Sequence, residues 1–308
     1  DGADWTCSRE DFFGRSAPLL GAELQRQMGG GGDACAAFHK RVAVGPGETV
    51  ALAVVIGCAE GEAEAVRAAK SFEPELELKN VRQFWKEKLG RLRVKTGNEA
   101  FDRMMNGWLL YQVYASRLLS RAGWWQTGGA FGFRDQLQDV LALLEVDPAR
   151  VREQLLLCAA HQYESGDVQH WWHPPYTGVR TRISDDRLFL PYVAACYAKA
   201  TGDEAVFDEV VPYLKDVPIP ENRHDVYHEA ELSDRRGTLR EHCLKAIWAS
   251  LRTGEHGLPL IGTGDWNDGM DAVGSRSKGE SVWLGWFTAA VIDAFLPYCG
   301  GEDRKTLK

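Results

Sequence analysis

Phe101-Asp102-Arg103-Met104-Met105-Asn106-Gly107-Trp108-Leu109-Leu110-Tyr111-Gln112-Val113-Tyr114-Ala115-Ser116-Arg117-Leu118-Leu119 carries apolar residues at helical spacing and reads as one long amphipathic helix. It opens a tract after Thr96 that reads as almost wholly helical. Further helices are expected over residues 135–145, 148–161, 186–201, 204–214, 238–251 and 280–298, with Asp147 placed to cap the second of these. The 186–201 segment is apolar nearly all round, so it should be buried on several sides. Between these helices lie long loops at 123–134, 166–185 and 259–279, rich in Trp, Gly, Asp and Arg. Long ordered loops on a helical scaffold tend to be functional. The expectation is an all-α body whose loops gather on one end.

Upstream the pattern differs. Val42 and Val44 alternate with polar or small neighbours, Gly45-Pro46-Gly47 makes a turn, and residues 50–56 form an apolar run expected to be a buried strand. The four-glycine run 29–32 reads as a loop. Residues 62–72 and 81–89 read as connector helices.

The bulk numbers describe an ordinary globular protein: 308 residues, 44% hydrophobic and 26% charged. A net charge of −8 with no Lys/Arg run argues against a nucleic-acid partner. No apolar stretch approaches the length of a membrane span, so no membrane contact is expected of this segment, and nothing resembles a signal peptide. Seven cysteines are scattered singly without a C-x-x-C pair, which suits a reducing, cytoplasmic setting. Eleven tryptophans, several clustered with polar residues, suit the flat platforms on which sugar rings stack. The chain begins at Asp1 and ends just past an expected helix, so both ends look cut from something longer.

Three loops carry the chemistry. Gly262-Thr263-Gly264-Asp265-Trp266-Asn267-Asp268-Gly269-Met270-Asp271 packs three carboxylates and an indole among turn residues. It reads either as an Asx-rich turn or as a carboxylic acid held beside an aromatic face, the equipment for protonating a glycosidic oxygen. The first loop, Trp124-Trp125-Gln126-Thr127-Gly128-Gly129-Ala130-Phe131-Gly132-Phe133-Arg134-Asp135-Gln136, runs on to Gln138-Asp139. There Arg134 and Asp135 are either a capping ion pair or, respectively, an orienting cation and an acceptor for sugar hydroxyls. The second loop, from Asp167 to Asp186, contains His170, Trp171, Trp172 and His173, then Arg180, Arg182, Ser184, Asp185 and Asp186. Its two histidines lack the i, i+4 helical spacing and an implied third ligand, so no metal is expected. Arg180 and Arg182 either recognise an oxyanion or are neutralised by Asp185 and Asp186, and Ser184 also suits a helix N-cap. No Gly-x-Ser-x-Gly elbow, phosphate-binding loop or dinucleotide fingerprint is present, and the glycines of 128–132 do not follow an expected strand.

Taken together, these loops resemble the inverting glycoside phosphorylases of glycoside hydrolase family 94, whose module also forms the C-terminal part of cyclic β-1,2-glucan synthases. The resemblance rests on Gly-Phe-Arg-Asp-Gln-Leu-Gln-Asp at 132–139, on 169–175 and 180–186, on Gly-Asp-Trp-Asn-Asp-Gly-Met at 264–270, and on Gly-Glu-Ser-Val-Trp-Leu-Gly-Trp at 279–286. It implies a mainly α chain: the C-terminal part of a β-sandwich over 1–59, linker helices over 60–96, and an incomplete (α/α)6 barrel over 97–308. The family draws part of its phosphate site from the second half of that barrel, which the resemblance places outside this chain.

The resemblance also implies that Asp268 is the general acid. Trp266 then flanks the sugar, while Arg134 and Asp135 hold the non-reducing-end residue. Asp265, Gln138, His170, Trp171, Arg180, Asp185 and Asp186 are the further substrate-binding candidates from the same loops. Burial or a neighbouring carboxylate is expected to keep Asp268 protonated. No cofactor is implied, since inorganic phosphate is the co-substrate; the partners are an oligosaccharide and phosphate, with a homodimer possible. The sequence Gly-Gly-Ala-Phe-Gly-Phe-Arg-Asp lacks the arginine that cellobiose and chitobiose phosphorylases carry shortly before Phe-Arg-Asp, which favours a β-1,2-linked glucan. A trimming module of a larger synthase, a non-catalytic carbohydrate-binding fragment and an inverting hydrolase with Asp135, Asp185 or Asp265 as base are the other readings.

Overall fold

A computed structural model describes residues 3–13, 23–28, 33–119, 129–274 and 276–308. The glycine run 29–32 and the start of the first loop, including Trp124 to Gly128, lie outside the described residues. The chain divides into two compact units, Asp1–Val81 and Arg82–Lys308.

In the first unit β1 (Asp4–Ser8) pairs antiparallel with β2 (Ala34–His39), and α1 (Arg9–Phe13) lies between them in sequence. The turn at Gly45 forms as read, with the Glu48 amide donating to the Gly45 carbonyl at 3.1 Å and Gly47 at a φ of 77°. The strand expected over 50–56 does not form: Val54 is 77% and Ile56 94% exposed. A strand is held by ladder hydrogen bonds to its neighbours. Among the described residues of this unit only β1 and β2 pair, and this apolar run joins neither. Helices α2 (Glu62–Ser71) and α3 (Pro74–Gly90) follow where connector helices were expected, and the unit boundary falls inside α3.

The second unit opens with helix from Glu99 to Leu119. Asn98 caps it by accepting from the Phe101 amide at 3.1 Å. The expected single helix is α4 (Glu99–Arg103) and α5 (Leu109–Gln112), each followed by wider π-type turns, Met104–Trp108 and Val113–Leu119. Then come β3 (Phe131–Gly132), α6 (Phe133–Val140), α7 (Pro148–Ala159), β4 (Gln169–His173), β5 (Thr177–Thr181) and α8 (Phe189–Thr201). Strands β6 (Val210–Leu214), β7 (Asp225–Glu229) and β8 (Leu232–Thr238) precede α9 (Leu239–Ser250), α10 (Asp271–Gly274), α11 (Val282–Phe295) and α12 (Gly301–Thr306).

Helix α8 is the hub, as its apolar circumference predicts. Leu190, Val193 and Ala194 are fully buried, and α6, α7, α9 and α11 all pack against it. Helix α9 starts in a reciprocal capping box between Thr238 and Glu241. Helix α11 starts on Ser281, whose hydroxyl accepts from the Leu284 amide at 2.9 Å. No helix among the described residues is long and apolar enough to cross a membrane.

Two expectations fail here. The body is not all-α: residues 169–181 form a hairpin in the four-stranded sheet β3-β4-β5-β7, and β6 pairs with β8. The helix expected over 204–214 is a short 3-10 turn, Glu204–Asp208, followed by β6. Val210 and Val211 are β-branched and Pro212 has no amide hydrogen, so this stretch favours an extended strand.

Asp147 also departs from its expected role. It stands at the N-cap of α7, with Pro148 at the first helical position, yet its side chain caps no amide. The carboxylate instead takes Lys88, Arg91 at 2.9 Å and the Tyr114 hydroxyl at 2.8 Å. Burial alone raises its pKa, but hydrogen bonds from Lys88 and Tyr114 and the charges of Lys88 and Arg91 hold it below the ordinary value. A lowered folded-state pKa adds stability that is present above the unfolded value and lost as pH falls through the folded one. Asp147→Ala, which strands a buried phenol and an inward lysine, is expected to lower stability by roughly 2–4 kcal/mol near neutral pH. Urea denaturation should show that deficit shrinking below about pH 4, the ordinary aspartate range.

Candidate active site

The site is assembled by stitching the loops together. Strand β3 adds to the hairpin through the pairs Phe131–Trp172 and Gly132–Trp171, which fixes where α6 begins and so where Arg134 points. Strand β4 pairs with β5, and Gly178 permits that pairing because a Cβ there would collide with the backbone of Trp171 and Trp172. Trp172 is buried, stacked 5.4 Å from Phe131 and 3.8 Å from His161. His161 is held neutral by burial, its pKa pushed down to about 4 although Gln169 hydrogen-bonds its Nδ1.

Beyond β5 the chain meets the third loop. The Thr263 amide donates to the Arg182 carbonyl at 3.1 Å, and the Ser184 amide and hydroxyl both donate to the Gly264 carbonyl, at 3.0 and 3.1 Å. Gly262, at a φ of 66°, lies against the Arg182 carbonyl where any side chain would collide. Ser184 is therefore a loop clasp, not a helix N-cap. The three loops named from sequence converge here, as far as the described residues of the first loop extend.

Arg134 is the centre. Its Nη2 donates to Asp185 Oδ1 at 3.0 Å and to Asp268 Oδ1 at 2.8 Å, and lies 3.1 Å from Asp186 Oδ1. Its Nε lies 3.0 Å from Asp185 Oδ2 without hydrogen-bond alignment, so that contact is purely an ion pair. The guanidinium also reaches the carbonyls of Asp265 at 3.2 Å and Trp266 at 3.5 Å. One planar fork thereby fixes two adjacent carboxylates and the backbone of the third loop.

Exposure sorts the carboxylates: the side chain of Asp185 is 0%, that of Asp186 2% and that of Asp268 52% exposed. The burial expected of Asp268 is thus not found, and its contact is a guanidinium. Burial and the adjacent Asp186 push the Asp185 carboxyl up to about 7 against the pull of Arg134. Burial disfavours the charged form of Arg134, yet Asp186, Asp185 and Asp268 outweigh it and raise its pKa. His170 Nδ1 lies 2.7 Å from Asp186 Oδ2. Burial opposes a charged His170 ring, but the hydrogen bond and charge of Asp186, with that of Asp268, raise its pKa overall.

The remaining candidates take other places. Trp266 is 55% exposed, an indole available to a sugar face. Asp265 is buried and spoken for: Oδ1 accepts from the Asn267 amide at 2.9 Å and Oδ2 from the Ser281 hydroxyl at 2.6 Å. Ser281, absent from the candidates, thus ties the acid-bearing loop to the start of α11. Asp135 is exposed on the first turn of α6, 3.8 Å from Arg117, which pairs more closely with Asp139 at 2.8 Å. Arg134 orients Asp185 and Asp186, not Asp135. Gln138 is half-buried on α6, and Trp171 lies on the hairpin beside His173 and Tyr227. Arg180 is not in the cluster. Its guanidinium takes Asp167 at 3.2 Å, Ser165 at 2.8 Å and the Val217 carbonyl at 2.8 Å, so Asp185 and Asp186 do not neutralise it.

Comparison with known proteins matches residues 84–306 to the Glycosyl hydrolase 94 superfamily, catalytic domain, and residues 1–75 to the Glycosyl hydrolase 94, supersandwich domain. Similar proteins include the cyclic beta-(1,2)-glucan synthase NdvB of Rhizobium meliloti (strain 1021), 43% identical over 99% of this chain and 11% of that protein. The N,N'-diacetylchitobiose phosphorylase of Vibrio furnissii is 26% identical over 85% of this chain and 34% of that protein. The 3-O-beta-D-glucopyranosyl-beta-D-glucuronide phosphorylase of Paenibacillus borealis is 27% identical over 96% of this chain and 37% of that protein. The chain therefore spans about a tenth of the synthase and roughly a third of the phosphorylases.

Two outcomes follow from the buried cluster. Arg134→Ala leaves Asp185 buried without its guanidinium and Asp186 with only His170, and is expected to lower stability by roughly 3–5 kcal/mol in urea denaturation. Arg134→Lys should recover little, because an ammonium cannot bridge two carboxylates and two carbonyls at once. A raised folded-state pKa at Asp185 adds stability that is present below the unfolded value and lost as pH rises through about 7. Relative to Asp185→Asn, the wild-type chain should lose stability steadily between about pH 4, the unfolded aspartate value, and that folded value. A pH-independent difference would refute the raised pKa.

Proposed function

We infer the role of this protein from one premise: the chain belongs to the glycosyl hydrolase 94 superfamily. It carries the acid-bearing portion of an inverting glycoside phosphorylase, a glycosyltransferase of the phosphorylase type, acting on β-linked gluco-oligosaccharides. The observation that carries this reading is the fork of Arg134, which holds the half-exposed Asp268 beside Asp185 and Asp186 and next to the exposed indole of Trp266.

In the reaction a glucosyl unit stacks near Trp266, and its hydroxyls meet the acceptors of Asp135 and the outer edge of the cluster. Entry of the sugar covers the exposed half of Asp268 and withdraws water from it. Asp268 then gives its proton to the glycosidic oxygen as that bond breaks. Inorganic phosphate attacks the anomeric carbon from the opposite face, so the product is α-glucose 1-phosphate with a glycan shortened by one unit. Phosphate is already a nucleophile, which makes a second carboxylate to activate water unnecessary. Arg134 positions Asp268, and Asp185 and Asp186 position Arg134.

The helical unit is read as the first part of an (α/α)6 barrel. Apolar side chains left exposed on its helices, such as Trp108 at 54% and Trp286 at 76%, support further helices packing there. A second reading, a chain-trimming module within a cyclic β-1,2-glucan synthase, is favoured by the 43% identity to such a synthase across 99% of the chain. Both readings favour a β-1,2-linked substrate. The seven free cysteines suit a reducing cytoplasm.

The test incubates this chain, and a version extended to the full length of its phosphorylase relatives, with β-1,2-, β-1,3- and β-1,4-gluco-oligosaccharides, with and without phosphate. Phosphate-dependent glucose 1-phosphate that falls by about 10²–10⁴-fold in Asp268→Asn is the expected result. Free glucose without phosphate would identify a hydrolase instead. Silence of the extended protein on every glycan would defeat the catalytic reading. Trp266→Ala is expected to raise KM for the glycan with a smaller change in kcat, since stacking holds ground state and transition state alike.

A further inference from the structure

A cavity of about 450 Å³ lies beside the reacting cluster but is not lined by Arg134, Asp185, Asp186 or Asp268. Ser184 and Gly262 both line it, so the junction where Ser184 bonds the Gly264 carbonyl and Ile183 bridges Gly262 forms part of its wall. Its charge is lopsided. Arg180, Arg182, Arg187 and Arg252 face it against a single lining carboxylate, Asp167.

The pairing inside the wall shows which guanidiniums are matched. Asp167 bridges Arg180 at 3.2 Å and Arg187 at 2.8 Å, and Asp216, outside the lining, also touches Arg180 at 3.2 Å. Those two arginines are therefore fixed by carboxylates and held in place. Arg182 donates only to the carbonyls of Ile219 and Pro220, at 2.9 and 3.2 Å, and has no carboxylate partner among the described residues. Arg252 likewise has none, and both side chains belong to exposed residues. Several like charges gathered around a concave wall raise a positive potential that favours an anion inside.

We propose that this arginine-lined cavity is a second anion site, separate from the reacting centre, that binds the phosphate group of a small phosphorylated sugar. Guanidinium forks match phosphate oxygens in pairs, which a carboxylate-poor wall leaves available at Arg182 and Arg252. The volume falls within the roughly 300–1,000 Å³ of small-ligand pockets and exceeds what a bare phosphate fills. Because Ser184, which lines the site, also bonds the Gly264 carbonyl of the acid-bearing loop, occupancy there is placed to steady that loop.

Calorimetric titration of the folded chain tests this, using α-glucose 1-phosphate, inorganic phosphate and glucose as probes at low ionic strength. Saturable binding of glucose 1-phosphate is expected, with competition by inorganic phosphate and no binding of glucose. Arg182→Gln combined with Arg252→Gln should weaken it about tenfold or more. Trp266→Ala, which alters only the proposed sugar platform, should leave it in place. Arg252→Gln alone, at an exposed side chain, keeps the test available if the double variant melts early, and should weaken binding in the same direction. Binding that survives the arginine changes, binding of glucose as strong as that of its phosphate, or binding lost in Trp266→Ala overturns the proposal. Absence of glycan turnover leaves this test standing, so its failure is distinct from failure of the phosphorylase reading.

Discussion

The second unit is organised around one buried guanidinium. Arg134 meets Asp185, Asp186 and Asp268 while its side chain is only 7% exposed. Two carboxylates as buried as Asp185 and Asp186 are tolerable only beside a cation whose shape matches both. That requirement ties α6 to the segment before α8 and to the third loop, three stretches far apart in sequence. Remove it, and Asp185 and Asp186 lose the guanidinium between them, leaving the loops joined only by backbone pairing and the Ser184 clasp.

The small sheet is what delivers Arg134 to that place. Strand β3 is two residues long, yet its pairing with β4 sets the first turn of α6 against the hairpin. The wall behind it is aromatic: Phe131, Trp172 and His161 stack in sequence, with Trp172 1% exposed. That stack backs the strand pairing that sets the start of α6 and so the place of Arg134.

The helices and the convergence of the loops were legible in sequence because both leave local marks. Residues 186–201 are apolar nearly all round, and Gly262, Asp265, Asn267 and Gly269 announce a tight turn. The hairpin at 169–181 was not legible, since Gln169 to His173 mixes polar and aromatic residues without alternation, and its strands exist only through pairing with β3 and β7. Asp147 misled for a related reason: a cap is a local reading, but Lys88, Arg91 and Tyr114 compete for the same carboxylate from distant positions. Arg180 and Arg182 share the motif with Asp185 and Asp186, but Arg180 pairs elsewhere and Arg182 meets only carbonyls. The bridge between Ile183 and Gly262 lies between them in sequence, with the arginines and the aspartates taking different partners on its two sides.

That bridge separates two arginine groups. On the Arg134 side carboxylates outnumber the guanidinium three to one, and the pKa values of Asp185 and His170 are raised. On the other side guanidiniums outnumber the lining carboxylate four to one. The third loop therefore lies between an acidic cluster and a basic cavity. Asp268, half-exposed and held at one oxygen by Arg134, sits on that loop, whose Gly264 carbonyl is bonded by Ser184 of the cavity wall. In the proposed reaction this makes the donor responsive to phosphate-bearing ligands without any of them needing to touch it.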